Sequence, residues 1–464
     1  MRKIFRAERT LVGSQLVPAG VEVDTETGTI VAVRTGVEYA AALARDAAAQ
    51  MDPGHASTGA LVVNVPDEAI LLPANVDCHV HVNEPGRTAW EGFASATEAA
   101  AYGGIATIVD MPLNSIPPTT TTDALAVKRA VTAGQLFVDV GLWGGAVPEN
   151  LGQLEELWAQ GVCGFKCFLV DSGVPEFPPL LGADFGRAMA EVASFGGLMI
   201  VHAEDPDVLG SIPPWSSRRY ADFLRSRPHE AEVRAVQTVI EQVRRHGTRA
   251  HILHVSSAQA LEPIAQAKAE GLPLTAETCP HYLIFDSDAV PDGASEYKCC
   301  PPIRDPGNQR ELWQGLIAGV LDCVVSDHSP STVEEKTKGG GDLAQAWGGV
   351  SSLQVTFPSM VDAAAERGIG IERVSEWMSA GPARVAGLPG KGRLEAGADA
   401  DLIWYEPGRA ICIDGGRLAH RNKLTAYTGR VLSGSVRRTM IGGKTIFDGF
   451  DLAEPSGQLL RRGS

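Results

Sequence analysis

Short apolar runs alternate with helix-like segments through the middle of the chain. Each run is almost continuously apolar, as parallel strands buried on both faces require. The strand candidates are residues 71–82, 105–111, 137–144, 163–170, 198–204, 251–257, 272–278 and 323–329. The segments between them carry apolar residues at helical spacing and often end in Gly, as at 91–104, 122–134, 229–247 and 258–271. Eight such units predict an α/β fold of the (β/α)8 TIM-like barrel type rather than an open doubly wound sheet.

Both ends of the chain differ from this middle part. Residues 1–72 and 393–464 contain short strand-like runs broken by Gly, without a full strand–helix–strand pattern. We expect the two ends to pack together as one small β-sandwich domain beside a catalytic barrel formed by residues 73–392. The Ala-rich stretch at 36–60 predicts a loop or a short helix, and we assign it no function.

Composition narrows the function classes. The 464-residue chain is 44% hydrophobic and carries a formal net charge of −16. Such an acidic protein repels phosphate, which argues against a nucleic-acid partner. It has neither a signal-peptide pattern nor an apolar run of about 18 residues, so we expect no membrane partner. The eight cysteines form no zinc-type CxxC pair. We therefore expect a reduced, cytoplasmic protein with a small-molecule substrate.

Histidines and one aspartate stand at the ends of the strand candidates. His79 and His81 end the first run, and their spacing of two places both imidazoles on one face of a strand. His202 and His254 belong to the fifth and sixth runs, and Asp327 to the eighth. Each has an ordinary structural explanation alone; Asp327, for example, could cap a helix. Residues at the C-terminal ends of barrel strands share one mouth, so their convergence predicts a metal site.

Lys166 is the most informative residue of this set. It lies inside the apolar run GFKCF, in the fourth strand candidate. A snorkelling or ion-paired lysine is the ordinary explanation. Beside two dications, however, a buried ammonium would be strongly destabilised. Reaction of its amine with carbon dioxide would give an anionic carbamate whose two oxygens can bridge two metals. We therefore predict a carboxylated lysine.

Several segments resemble those of the cyclic amidohydrolases, in the order in which that family has them. They are VDCHVHVNEPGRTAWEGF, GFKCFLV, VHAED, LHVSS, ETCPHYL, KCCPPIRD, SDHSP and SAGPARVAGLPGKGRLEAGADADLIWYEP. Within that group, HVHVNEPGRTAWEGF, DMPLNSIPP, FKCFLVDSGVPEFP and WGGVSSLQ resemble allantoinase segments. Dihydroorotases typically have an arginine where this chain has Asn83. Hydantoinases lack the NEPGR run and typically place a tyrosine where this chain reads VDSGVPEF.

The resemblance implies a binuclear hydrolase. His79 and His81 would bind the first metal and His202 and His254 the second. Carboxylated Lys166 would bridge them, and Asp327 would complete the first site and transfer the proton. Zinc is the default for imidazole-rich sites, and iron, manganese or cobalt can serve. The reaction implied is opening of the hydantoin ring of allantoin to give allantoate, by a homotetramer.

The substrate contacts are less strongly specified. The predicted ones are Asn83, Arg87, Asn114, Cys300, Ser329 and Gly348. Asn114 is equally typical of a turn. Arg87 could instead pair with a neighbouring glutamate.

Two alternatives stay open. One is a hydantoinase or dihydropyrimidinase of the same family, with the same metals and mechanism. The other is a non-catalytic scaffold homologue, although such homologues usually lack ligands that are all present here. His281 and His328 adjoin the motifs, and we interpret them as structural or as orienting a metal ligand.

Overall fold

Strands and helices alternate from residue 75 to residue 324 in a computed structural model, which describes residues 1–51 and 60–463. The strands are β1 (Arg2–Val12), β2 (Gln15–Asp24), β3 (Thr29–Thr35), β4 (Leu61–Asn64), β5 (Ile70–Pro73), β6 (Asn75–Val80), β7 (Ile105–Asp110), β8 (Asp139–Leu142), β9 (Gly144–Gly145), β10 (Phe165–Phe168), β11 (Leu198–His202), β12 (Arg249–Ile252), β13 (Leu274–Thr278), β14 (Cys323–Val324), β15 (Leu402–Cys412), β16 (Val431–Ile441) and β17 (Lys444–Phe447). The helices are α1 (Gly36–Met51), α2 (Phe93–Tyr102), α3 (Thr122–Val131), α4 (Leu154–Ala159), α5 (Ala183–Ser194), α6 (Pro206–Gly210), α7 (Tyr220–Ser226), α8 (His229–His246), α9 (Leu261–Ala269), α10 (Pro280–Ile284), α11 (Pro306–Ile317), α12 (Val333–Lys336), α13 (Thr356–Ala365), α14 (Ile371–Ser375) and α15 (Gly381–Ala386).

Local sequence signals set the helix ends. The side chain of Thr121 accepts a hydrogen bond from the Ala124 N–H and so caps α3. Helix α8 follows Pro228 and ends at Gly247, whose φ of 70° is left-handed and favours glycine. Its buried face is apolar at helical spacing, as the sequence predicts. The four helices predicted from the sequence are present within a few residues of their expected bounds.

Each predicted run of the middle part overlaps a parallel strand, although β12 begins two residues before its predicted run and ends at Ile252. Strands β6, β7 and β8 form one parallel sheet, and β9 to β14 form another in chain order. The α/β class is therefore confirmed. The first run is divided, however: β5 pairs antiparallel with β15, and only β6 joins the parallel strands. The third run is divided too, since Trp143 separates β8 from β9.

Strands from both ends of the chain lie in one further sheet. Its order is β17-β16-β15-β5-β1-β2-β3, with β4 paired to β1. Its curvature into a sandwich stays a prediction. Helix α1 covers the first part of the Ala-rich stretch, which confirms a helix there, whereas residues 52–59 lie outside the described residues. Within the described ranges, no helix combines the length and apolar character needed to cross a membrane.

Candidate metal centre

The six predicted ligand residues line one cavity of about 430 Å³. All are buried, and they come from five strand ends: His79, His81, Lys166, His202, His254 and Asp327. This is the convergence that parallel strands with a common direction produce.

His79, His81 and Asp327 form the first cluster. One donor atom from each lies within 4.8 Å of the other two. Nε2 of His79 lies 3.2 Å from Oδ1 of Asp327, and Nε2 of His81 lies 3.6 Å from the same oxygen. Burial lowers the pKa of His81 well below its usual value, so this imidazole is neutral and has a lone pair to share. A cation between these atoms fits the donor set.

His202 and His254 form the second cluster. Nδ1 of His202 lies 3.0 Å from Nε2 of His254, and the ring centroids are 4.6 Å apart. Burial lowers the pKa of both imidazoles. The other nitrogen of His202, Nε2, donates to Glu204, which leaves the lone pair on Nδ1. Nδ1 of His254 is buried without a hydrogen-bond partner among the described residues. This pair also has the donor atoms of a metal site.

Lys166 lines the same cavity as the two clusters and is 1% exposed. Its Nζ is 4.9 Å from the centroid of the Phe168 ring. Among residues 1–51 and 60–463, no hydrogen bond or ion pair satisfies this Nζ. Burial lowers the pKa of Lys166 to about 8. A buried ammonium without an acceptor is costly, so this position fits an amine that is neutral or modified.

Unusual backbone conformations also concentrate around this cavity. In the described part of the chain, the non-glycine residues with positive φ are Asn83 (66°), Asn114 (64°), His254 (37°) and Asp327 (43°). Two are proposed ligands and two are predicted substrate contacts. Such conformations cost about 1 kcal/mol or more and concentrate at functional sites.

Glu277 holds His79 of the first cluster in place by a hydrogen bond. The sequence analysis did not single out this residue. Its Oε1 accepts from Nδ1 of His79 at 2.5 Å, and its Oε2 lies 3.0 Å from Nε2 of His251. Burial alone would raise the pKa of Glu277, but the two imidazoles outweigh it and hold the pKa at about 2. The carboxylate therefore fixes the His79 tautomer, with the Nε2 lone pair towards Asp327. The available signal was an acid inside the apolar run LPLTAET.

Glu204 supports the second cluster in the same way. Its Oε2 accepts from Nε2 of His202 at 2.8 Å and also from Nη1 of Arg227. Burial would raise the pKa of Glu204, yet Arg227 and His202 together lower it to about 2. Sequence reasoning missed this pair as well. Its signal was a glutamate two residues after the strand-ending histidine.

The predicted substrate contacts divide into two groups. Four line the cavity: Asn114, Cys300, Ser329 and Gly348. Asn83 and Arg87 lie behind Asn114 and do not line it. The Asn83 side chain accepts from Nδ2 of Asn114 at 3.1 Å, and Nη1 of Arg87 donates to the Asn114 carbonyl at 2.9 Å. Arg87 also pairs with Glu176, which comes from a distant loop rather than from its own neighbourhood.

His281 and His328 also lie outside the cavity lining. Nδ1 of His328 accepts from the Ser352 N–H at 3.1 Å, so this ring holds the chain after β14. A ring nitrogen of His281 lies within 4.8 Å of an Asp327 carboxylate oxygen, but neither ring nitrogen has a hydrogen-bond partner among the described residues.

Residues 70–446 match the family model described as "Amidohydrolase family", and the chain belongs to this family. It is 53% identical over 404 residues to the allantoinase of Streptomyces avermitilis, covering 87% of this chain and 90% of the relative. It is 42% identical over 383 residues to the allantoinase of Saccharomyces cerevisiae, covering 81% and 82%. The sequence-based prediction of an amidohydrolase that acts on cyclic amides is confirmed.

Solved structures agree on the fold. The L-hydantoinase from Arthrobacter aurescens superimposes with a TM-score of 0.87 at 26% identity, over 100% of both chains. The dihydropyrimidinase from Brevibacillus agri superimposes with a TM-score of 0.84 at 24% identity, over 100% of this chain and 99% of that one.

Proposed function

We propose that this protein opens the hydantoin ring of allantoin by hydrolysis to give allantoate. The observation that carries the proposal is the single cavity in which four imidazoles, one lysine and one aspartate meet. The substrate rests on the relatives named allantoinase, at 53% and 42% identity over most of the chain. Hydantoin or dihydropyrimidine hydrolysis is the second candidate, favoured by the structural match at 26% identity.

We infer that the parallel strands close into a (β/α)8 barrel. The N–H of His81 donates to the His328 carbonyl at 2.8 Å, and Val80 pairs with His328 in a parallel bridge, which brings β6 beside the strand end that follows β14. Trp143, the residue between β8 and β9, stays bonded to the neighbouring strand, because its N–H donates to the carbonyl of Asp110 in β7 at 3.0 Å. We retain 73–392 as the barrel, with 1–72 and 393–464 as the small β domain, because β5 ends at Pro73 and pairs outside the barrel.

His79, His81 and Asp327 would hold one divalent ion, and His202 and His254 a second. Zinc is the default, while iron, manganese or cobalt would suit the same donors. Bound divalent ions would lower the pKa of a water and polarise the amide carbonyl. The proton transfers fall to a side chain of the protein. Asp327 lies beside both His79 and His81, where its carboxylate takes a proton from the attacking water and returns it to the departing ring nitrogen.

In this proposal carboxylated Lys166 would be a ligand to both divalent ions. The amine nitrogen forms a bond to the carbon of CO2 and loses a proton to solvent, which leaves a carbamate anion. With a pKa of about 8, roughly a tenth of the amine is unprotonated near pH 7. The carbamate also removes the buried positive charge between two cationic sites.

Replacing Lys166 tests the proposal. Enzyme reconstituted with divalent ions and bicarbonate should hydrolyse allantoin faster than hydantoin, dihydrouracil or dihydroorotate. Lys166→Ala should abolish this activity, with partial rescue by short carboxylic acids, while Lys268→Ala, outside the cavity, serves as the control. Full activity in Lys166→Ala would refute the bridging role. Preference for another ring would refute the substrate.

Two measurements on the wild-type holoenzyme separate enzyme from scaffold. Metal analysis should find stoichiometric metal, and intact mass should show one added CO2. A scaffold would carry neither.

We also propose a homotetramer, for which sedimentation is the test, and a cytoplasmic location. The eight cysteines, all within the described residues, form no disulfide, which is consistent with a reducing compartment.

A further inference from the structure

Arg227 lies just after α7, and one end of its guanidinium is fixed beside the proposed metal centre. Its Nη1 donates to the Glu204 carboxylate, which is fully buried and also holds Nε2 of His202. The arginine side chain itself is 24% exposed and lines the metal-site cavity. Arg227 therefore joins the wall of the cavity to a proposed metal ligand.

The other edge of this guanidinium is available. An arginine offers five N–H donors in a fixed planar fork. In the described parts of the chain, the Arg227 side chain makes its hydrogen bond through Nη1, and Nε and Nη2 make none to another residue. Lys298, a second cation in the cavity wall, differs because its Nζ donates to the Ala346 carbonyl. The cavity thus presents a cationic donor pair that the protein does not use.

The position of Arg227 is also fixed through its backbone. The residue precedes Pro228 and is non-helical, with φ −138° and ψ 71°. Its carbonyl accepts from Nη2 of Arg304 at 3.2 Å. A donor held at both backbone and side chain loses little entropy when it binds a ligand.

We propose that Arg227 determines substrate specificity by donating a hydrogen bond to the carbonyl oxygen of the substrate's ureido arm. This rests on the proposed allantoin hydrolysis. The scissile amide must lie against the imidazoles and Asp327, so the arm contacts the surrounding wall, where Arg227 lies. The ureido group is planar and neutral, and its oxygen accepts a charge-assisted bond from a guanidinium. Hydantoin has the same ring without the arm and cannot make this bond.

Comparing allantoin with hydantoin in Arg227 variants of the holoenzyme tests this role. Arg227→Met should lower kcat/KM for allantoin by about tenfold to a hundredfold, mainly through KM, as loss of a hydrogen bond to a charged group implies. Both ligands should lose what Arg227 contributes through Glu204 and His202, but allantoin should lose more than hydantoin, whether hydantoin is followed as a substrate or as a competitive inhibitor of allantoin hydrolysis. Glu204→Gln should show the opposite split, lowering kcat for both ligands, because it weakens the hydrogen bond that orients His202. Arg234→Met removes a comparable arginine beside Asp205, outside the cavity, and is the control.

Equal losses for allantoin and hydantoin in Arg227→Met would overturn the proposal and leave Arg227 a positioning residue for Glu204. An unchanged kcat/KM for allantoin would overturn it too. If the methionine variant does not fold, Arg227→Lys carries the test, because it keeps a cation beside Glu204 but loses the planar fork. It must still impair allantoin more than hydantoin. A wild-type enzyme that does not hydrolyse allantoin would instead refute the proposed function.

Discussion

Buried glutamates decide how the proposed ligands are presented. Glu277 and Glu204 are both fully buried, and each accepts a hydrogen bond from one imidazole of the cavity, His79 and His202 respectively. Burying a carboxylate is costly unless it is paired, and each has a second partner, His251 or Arg227. The shared arrangement fixes which ring nitrogen bears the lone pair, and this makes a preformed donor set out of flexible side chains.

Glu277→Gln should therefore weaken metal binding. The amide can still accept from His79, but it loses the charge that strengthens the bond, and we expect metal affinity to fall by roughly tenfold to a hundredfold. Chelator competition on the reconstituted enzyme measures this. Glu232→Gln is the matched control, since Glu232 is also a buried carboxylate. It pairs with Arg304, and it accepts hydrogen bonds from the backbone N–H groups of Ser256 and Ser257. Unchanged affinity in Glu277→Gln would show that His79 is oriented without it.

At the scale of elements, the hydrophobic pattern predicted where the strands lie well, but it did not show which strands pair with each other. Residues 71–82 form one apolar run, yet β5 pairs with β15 and β6 with β7. Burial makes both strands apolar, so composition alone cannot divide them. That the six proposed ligand residues line one cavity could be predicted, because the C-terminal ends of parallel barrel strands share one mouth. Glu277 and Arg227 could not, because their roles depend on contacts between distant segments.

The loop after β14 gives the next prediction. Gly349 has φ 126°, and a Cβ there would lie 2.0 Å from the Ser329 carbonyl oxygen. Gly349→Ala should therefore displace Ser329 and Gly348 in the cavity wall. We expect kcat/KM to fall by about a hundredfold, as a misplacement of roughly 1 Å can cause, with metal content retained. Steady-state kinetics and metal analysis of the same preparation check both parts.

Gly340→Ala is the control for this substitution. Gly340 also has a positive φ, of 64°, but nothing lies within 4 Å of its added Cβ. It should suffer the backbone strain without moving the cavity wall. If both variants lose activity equally, flexibility of the connection rather than the position of Ser329 would explain the effect.

At the scale of the molecule, a buried ion cluster joins the parallel strands to the sheet built from both chain ends. Nζ of Lys391 lies 2.6 Å from Asp139 in β8, 2.9 Å from Asp399 and 2.8 Å from Asp401 beside β15. Oδ1 of Asp139 also accepts from the N–H of Gln458 near the C-terminus at 2.9 Å. One ammonium shared by three carboxylates cannot neutralise them all, so the cluster links stability to pH.

Asp401 determines the direction of that dependence. Burial raises its pKa from 3.8 to about 6 in the folded protein, despite the opposing effect of Lys391. The folded state thus binds this proton more tightly than the unfolded chain does. The stability that Asp401 contributes is complete below its unfolded pKa and is lost as the pH rises through about 6.

An asparagine side chain cannot ionise, so the melting temperature of Asp401→Asn, relative to wild type, should rise between about pH 4 and pH 6 and then level off. Asp399→Asn, which removes a more exposed carboxylate from the same Lys391, is the comparison variant. A difference between Asp401→Asn and wild type that is flat or falls over this range would mean that Lys391 fully compensates the buried charge.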